Sequence, residues 1–129
     1  MSCNILLDTN IVIGLFANEE TVLAHLSEAD SVFIPSVVLG ELYFGAYKSA
    51  HGEDNVRRID ELASANVVLV CDAVTANYYG RIKKALRDKG KPLPENDIWI
   101  AAIAQQHGLA VASRDQHFKE IENLPLLIW

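Results

Sequence analysis

Asp8, Glu41, Asp97 and Asp115 are carboxylates placed where an apolar run meets a turn, or on a helix that is otherwise apolar. A charged carboxylate in such a place is costly unless something positive meets it. Acids that converge without a cation repel one another and raise one another's pKa. A divalent ion relieves that repulsion. Mg²⁺ and Mn²⁺ suit such a donor set, because both are hard ions that take oxygen ligands and keep several waters. The chemistry implied is attack of a metal-activated water on a phosphoryl centre, with the leaving oxygen neutralised. Each acid alone has a simpler explanation, since an Asp after a strand is often a helix N-cap. The set as a whole favours a metal centre, with Glu41 lying among Val37, Val38, Leu42 and Phe44.

The elements that must position these acids alternate between strand-like and helix-like patterns. Asn4-Ile5-Leu6-Leu7 is a short buried strand ending at Asp8. Residues 10–29 are helical, with a break near Asn18-Glu19, and Ser31-Val32-Phe33-Ile34 is a second strand ended by Pro35. Ser36 fits an N-cap for a helix reaching about residue 50, in which Gly40 and Gly45 would allow a neighbour to approach closely. Residues 53–65 form an amphipathic helix with Val56, Ile59, Leu62 and Ala63 on one face. Residues 67–70 are a third strand, and residues 73–88 a long helix closed by Lys89-Gly90. Asn96 caps the next helix, which ends at His107-Gly108. Residues 109–112 and 125–128 complete the strands. Continuous apolar strands with intervening helices predict one α/β domain over residues 1–129, a parallel sheet of four to five strands flanked by helices. Ligand sites in such sheets lie beyond the carboxyl ends of the strands. Asp8 and Asp115 reach that edge directly, and Asp97 reaches it if its helix opens a crossover.

A chain of 129 residues, 50% hydrophobic and 22% charged, can bury a core without staples. Cys3 and Cys71 form no C-x-x-C pattern, which points to a reducing cytosol rather than a disulfide scaffold or a zinc site. The N-terminus carries no signal-peptide pattern, and the longest apolar run, residues 98–104, is too short to span a bilayer. A cytoplasmic protein with no membrane role is expected. The net charge of −6 disfavours a protein that coats nucleic acid by charge alone, though not an enzyme acting on it. Arg81, Lys83, Lys84, Arg87, Lys89 and Lys91 cluster with only Asp88 among them. They read equally as RNA phosphate contacts, with Arg81, Lys84 and Arg87 the candidates, or as a solvated helix face.

Four segments carry a family resemblance. Leu7-Asp8-Thr9-Asn10, Pro35-Ser36-Val37-Val38-Leu39-Gly40-Glu41-Leu42, Asn96-Asp97-Ile98-Trp99-Ile100-Ala101-Ala102 and Ser113-Arg114-Asp115-Gln116-His117-Phe118 resemble the motifs of PIN-domain ribonucleases. The type most resembled is the VapC-like toxin of toxin–antitoxin pairs. The resemblance runs the length of the chain, and the Asn96–Ala102 segment is its most specific part. It implies Mg²⁺- or Mn²⁺-dependent endonucleolytic cleavage of RNA, leaving 5′-phosphate and 3′-hydroxyl ends. It also implies a homodimer and a cognate antitoxin that wraps the toxin. Within it, Asp8, Asp97 and Asp115 ligate metal directly or through water. Glu41 acts through water, and Thr9, Asn10 and Ser113 orient waters or carboxylates.

His117 is read as a surface residue at a helix start in preference to a phosphate contact, and Trp99 as core in preference to a base-stacking platform. Tyr43, Phe44 and Tyr47 are open among core, dimer contact and antitoxin groove. Three rivals stand beside the toxin reading. One is a solitary RNA-processing PIN nuclease. Another is a phosphatase of the haloacid-dehalogenase type nucleophilic at Asp8, which wants an acid where Asn10 stands. The third is a receiver-like, metal-binding regulatory domain with Asp72 as phosphoacceptor, which leaves Glu41 and Asp97 without a task.

Overall fold

In a computed structural model describing residues 4–129, β1 (Asn4–Leu7), β2 (Ser31–Pro35), β3 (Val67–Leu69), β4 (Ala110–Ser113) and β5 (Leu126–Ile128) form one sheet. All the pairings are parallel and the order is β3-β2-β1-β4-β5. Cys3 lies outside the described residues. The apolar residues of the central strand β1 are buried on both faces, as a doubly covered sheet demands, whereas Val67 on the edge strand β3 is exposed. Leu6, Ile34 and Val111 are fully buried, and each such side chain contributes roughly 1.5–3 kcal/mol by leaving water.

The helices are α1 (Thr9–Phe16), α2 (Glu20–Glu28), α3 (Ser36–Tyr47), α4 (Gly52–Ala65), α5 (Ala73–Asp88) and α6 (Glu95–His107), with a short 3₁₀ helix at Gln116–Glu120. Asn18, at φ 55°, makes the break between α1 and α2. Ile59 of α4 is buried, and Val56, Leu62 and Ala63 pack against the core.

The structure departs from the sequence pattern at several positions. Pro35, not Ser36, is the N-cap of α3, and Pro94, not Asn96, is the N-cap of α6; neither helix has a side-chain cap. In both cases extended backbone at the proline hands directly into the helix, and the supposed cap residue is already inside it. α3 stops at Tyr47 instead of residue 50, β3 excludes the exposed Val70, and β4 runs through Ser113. A methyl group added at Gly40 or Gly45 would meet nothing within 4 Å, so neither glycine serves a close approach. Phe44 and Tyr47 are 67% and 74% exposed, which removes the core option for both. Trp99 is half-buried and stacks on Tyr79 of α5 with ring centroids 4.0 Å apart, tying α5 to α6.

Connectivity creates the place for a site. From β1 the chain steps outward to β2 and β3, then crosses back to β4 on the other flank of β1. The crevice between the carboxyl ends of β1 and β4 is the switch point at which ligands bind in open parallel sheets. The crossover is opened by α5, not α6. The N-terminus of α6 nevertheless reaches that edge, because its C-cap Gly108 leads almost directly into β4. Its 13 residues span about 20 Å, the length needed to run back along the sheet.

Candidate metal centre

Asp8 follows β1 and is only 4% exposed. Its backbone N–H donates to Ala112 O at 3.0 Å, continuing the β1–β4 ladder. Its Oδ1 accepts from Thr9 N at 2.8 Å, the N-capping contact for α1, and its Oδ2 accepts from Ser113 Oγ at 2.7 Å. Ser113 is fully buried and also accepts from Asp115 N at 2.9 Å. Asn10 Oδ1 takes the Arg114 N–H at 3.2 Å, and Asn10 Nδ2 points at Ser113 Oγ at 3.5 Å. The start of α1 and the loop after β4 are thus laced together around the carboxylates. Arg114 turns outward to pair with Glu19.

Asp97 sits in the first turn of α6, its side chain 14% exposed. His117 Nε2 lies 2.7 Å from Asp97 Oδ2 and 3.9 Å from Asp115 Oδ2. One ligand atom from each of Asp97, Asp115 and His117 falls within 4.8 Å of the others. His117 is therefore inside the site, contrary to the expectation of a plain surface residue. The missed signal is its neighbour. Phe118 is fully buried and pins the 3₁₀ helix, so the turn after Asp115 folds inward and brings His117 with it.

Burial pushes the carboxyls of Asp8, Asp97 and Glu41 above the ordinary carboxylate range. Mutual repulsion adds to this. Asp115 acts on Asp8, Asp8 acts on Asp97, and both Asp8 and Asp97 act on Glu41. Hydrogen bonds oppose it, from Ser113 at Asp8 and from His117 at Asp97. Glu41 is the outlying member, held against Thr9 and Asn96. Thr9 Oγ1 lies near enough to draw the Glu41 pKa down, yet it makes no well-aligned hydrogen bond. It is the one buried side-chain polar atom without a partner among the described residues. Beside it a cleft of about 270 Å³ opens between α1, α3 and α4, lined by Glu41, Phe16, Leu42 and Ile59 among others.

Clustered, half-desolvated carboxylates and an orphaned hydroxyl are the donor set a hard divalent cation would satisfy. The rival assignments fare worse. Asp72 follows the outermost strand and is consumed as the cap of α5, bonded to Thr75 in a capping box and to Gln106. Asn10 spends its side chain on the β4 loop, as above. Of the basic cluster, Lys83 pairs with Glu95, Lys84 with Asp88 and Lys89 with Glu120, and Arg81 bonds Asn77. Arg87 has no ion-pair partner among the described residues. It lines a cavity of about 300 Å³ with Lys83, Leu93, Glu95 and Ile98, beside the first turn of α6.

A family profile described as the PIN domain matches residues 5–124. A relative named Ribonuclease VapC2 from Haemophilus influenzae is 36% identical over 112 residues, covering 85% of each chain. A tRNA(fMet)-specific endonuclease VapC from Shigella flexneri is 32% identical, covering 96% of each. Among solved structures, VapBC2 from Rickettsia felis bound to a DNA fragment from its promoter superimposes with TM-score 0.89 at 28% identity, covering 98% of both chains. DNA-bound VapBC from Salmonella typhimurium gives TM-score 0.90, also at 28% identity and 98% coverage.

Proposed function

Because the chain belongs to the PIN-domain family, as a ribonuclease of the VapC type, we propose that it is the endoribonuclease toxin of a toxin–antitoxin pair and cuts RNA with Mg²⁺ or Mn²⁺. What carries this reading is the meeting of Asp97, Asp115 and His117 at the β1–β4 switch point, against the buried Asp8. A bound divalent ion supplies Lewis-acid activation of water and neutralises charge on the leaving oxygen. Asp8, Asp97 and Asp115 hold it directly or through water. Ser113 fixes the rotamer of Asp8, and Asn10 fixes the loop that carries Asp115. Glu41, set back and only half-buried, acts through water near Thr9. Its raised pKa suits it to receive a proton from the attacking water. Arg81, Lys84 and Arg87 on α5 contact RNA phosphates.

The partners are RNA, a second copy of the chain and a cognate antitoxin. The solved VapBC relatives are complexes, which supports the last of these. The cleft beside Glu41, with Ile13 on its wall 55% exposed, offers apolar surface for such a protein to cover. Among the described residues no helix is long and apolar enough to cross a membrane.

The test is cleavage of a single-stranded RNA after chelation, then with Mg²⁺ or Mn²⁺ restored. Activity lost and regained, with 5′-phosphate on the products, supports the proposal. Chelator-resistant cleavage, or cyclic-phosphate ends, would overturn it.

A further inference from the structure

We propose that His117 is itself a ligand of the metal centre, completing with Asp97 and Asp115 a mixed nitrogen and oxygen donor set that favours Mn²⁺ over Mg²⁺. The inference rests on the metal-dependent function above and goes beyond it, since the acidic motifs alone specify oxygen donors. The ring nitrogen is placed for the task. Neighbouring donors on a six-coordinate ion with bonds near 2.1 Å stand about 3 Å apart. Nε2 lies 2.7 Å from Asp97 Oδ2 and 3.9 Å from Asp115 Oδ2, spacings that bracket this value. The imidazole is held there by the chain. It tilts against Phe118 with centroids 5.2 Å apart, and Phe118 is fully buried beneath the 3₁₀ helix. The ring is not sealed in, because its side chain keeps 35% exposure and the site stays open to an ion arriving from solvent. Binding of an ion by Nε2 would release to solvent any proton that this nitrogen shares with Asp97.

The consequence is selectivity. Mg²⁺ takes oxygen ligands and resists losing its waters, whereas imidazole suits later divalent ions, and affinity for a given site rises from Mn²⁺ toward Cu²⁺. An imidazole at this position therefore adds more to Mn²⁺ binding than to Mg²⁺ binding. The donors also come from two consecutive elements. Asp97 lies in the first turn of α6, while Asp115 and His117 follow β4, so one ion would bind both segments.

The experiment uses the full chain with the metal alone. Mn²⁺ is titrated calorimetrically into the wild type, His117→Asn and Asp97→Asn, and pulsed electron paramagnetic resonance of the Mn²⁺ form reads coupling to a directly bound nitrogen. The wild type is expected to show ¹⁴N coupling. His117→Asn is expected to lose it, with Mn²⁺ affinity lower by at least about tenfold and Mg²⁺ affinity lowered less. Tight Mn²⁺ binding to the wild type without ¹⁴N coupling overturns the ligand role while leaving the metal centre in place. Absence of saturable Mn²⁺ binding, or binding undiminished in Asp97→Asn, overturns the metal centre and His117's role together. The wild-type spectrum decides the question even where a variant folds poorly.

Discussion

Ser113 Oγ donates to Asp8 Oδ2 at 2.7 Å, a buried contact between residues 105 positions apart. It joins the carboxyl ends of two adjacent parallel strands. Since Ser113 Oγ also accepts from Asp115 N, a single hydroxyl sets the positions of two of the acids. Ser113→Ala should therefore act twice. Leaving Asp8 without this donor is expected to cost about 1–3 kcal/mol in urea unfolding of the metal-free protein. Mn²⁺ affinity is expected to fall roughly 10–100-fold in calorimetry, as for other groups that orient ligands. Unchanged affinity would show that Asp8 is positioned without Ser113.

The raised carboxyls give the metal-free protein a pH signature. The folded-state pKa of Asp97 lies above its ordinary value of 3.8, chiefly through burial. The folded state then holds its proton more tightly than the unfolded state, so stability from this group is complete at low pH. It is lost as pH rises through the folded pKa. Asp97→Asn cannot lose it. The stability of the variant relative to the wild type should thus increase from about pH 4 upward and level off once the wild-type carboxyl is ionised. Urea denaturation with chelator present measures this. A difference that stays flat across that range would mean that burial costs Asp97 nothing.

The basic face of α5 makes a claim on salt dependence. Among the described residues Lys84 pairs only with Asp88, and both are largely exposed, so the pair is weak and its ammonium remains available to a phosphate. Arg87 is free of ion pairs among the described residues. Neutralising both, as Lys84→Gln with Arg87→Gln, should flatten the logarithmic salt dependence of single-stranded RNA binding by about 0.7 for each phosphate left unneutralised. Filter binding on a cleavage-dead background reads the slope. An unchanged slope would assign this face to solvent.

Much of this architecture was legible in the sequence, for a physical reason. Parallel strands buried on both faces must be apolar throughout, so Ile5-Leu6-Leu7 and Val111-Ala112 stand out, and the acids that follow them mark the carboxyl edge. Less could be read where tertiary contact decides. Ser36 and Asn96 are good capping types, but backbone set by Pro35 and Pro94 starts each helix one or two residues earlier. Gly40 and Gly45 face open space that no local pattern reveals. His117 looked like surface because its partner Asp97 lies 20 residues away on another element. The buried Phe118 beside it was the available hint.

A metal-dependent RNA-cutting site built on these carboxylates cannot survive Asp97→Asn. Purified wild type and variant are compared on the same RNA with saturating Mg²⁺ or Mn²⁺, and the metal-free unfolding midpoint of each is recorded at neutral pH. The expected result is cleavage abolished in the variant, with a midpoint equal to or above that of the wild type, because a buried, repelled charge has been removed. Full cleavage by a folded Asp97→Asn protein would mean that these carboxylates are not the cutting site.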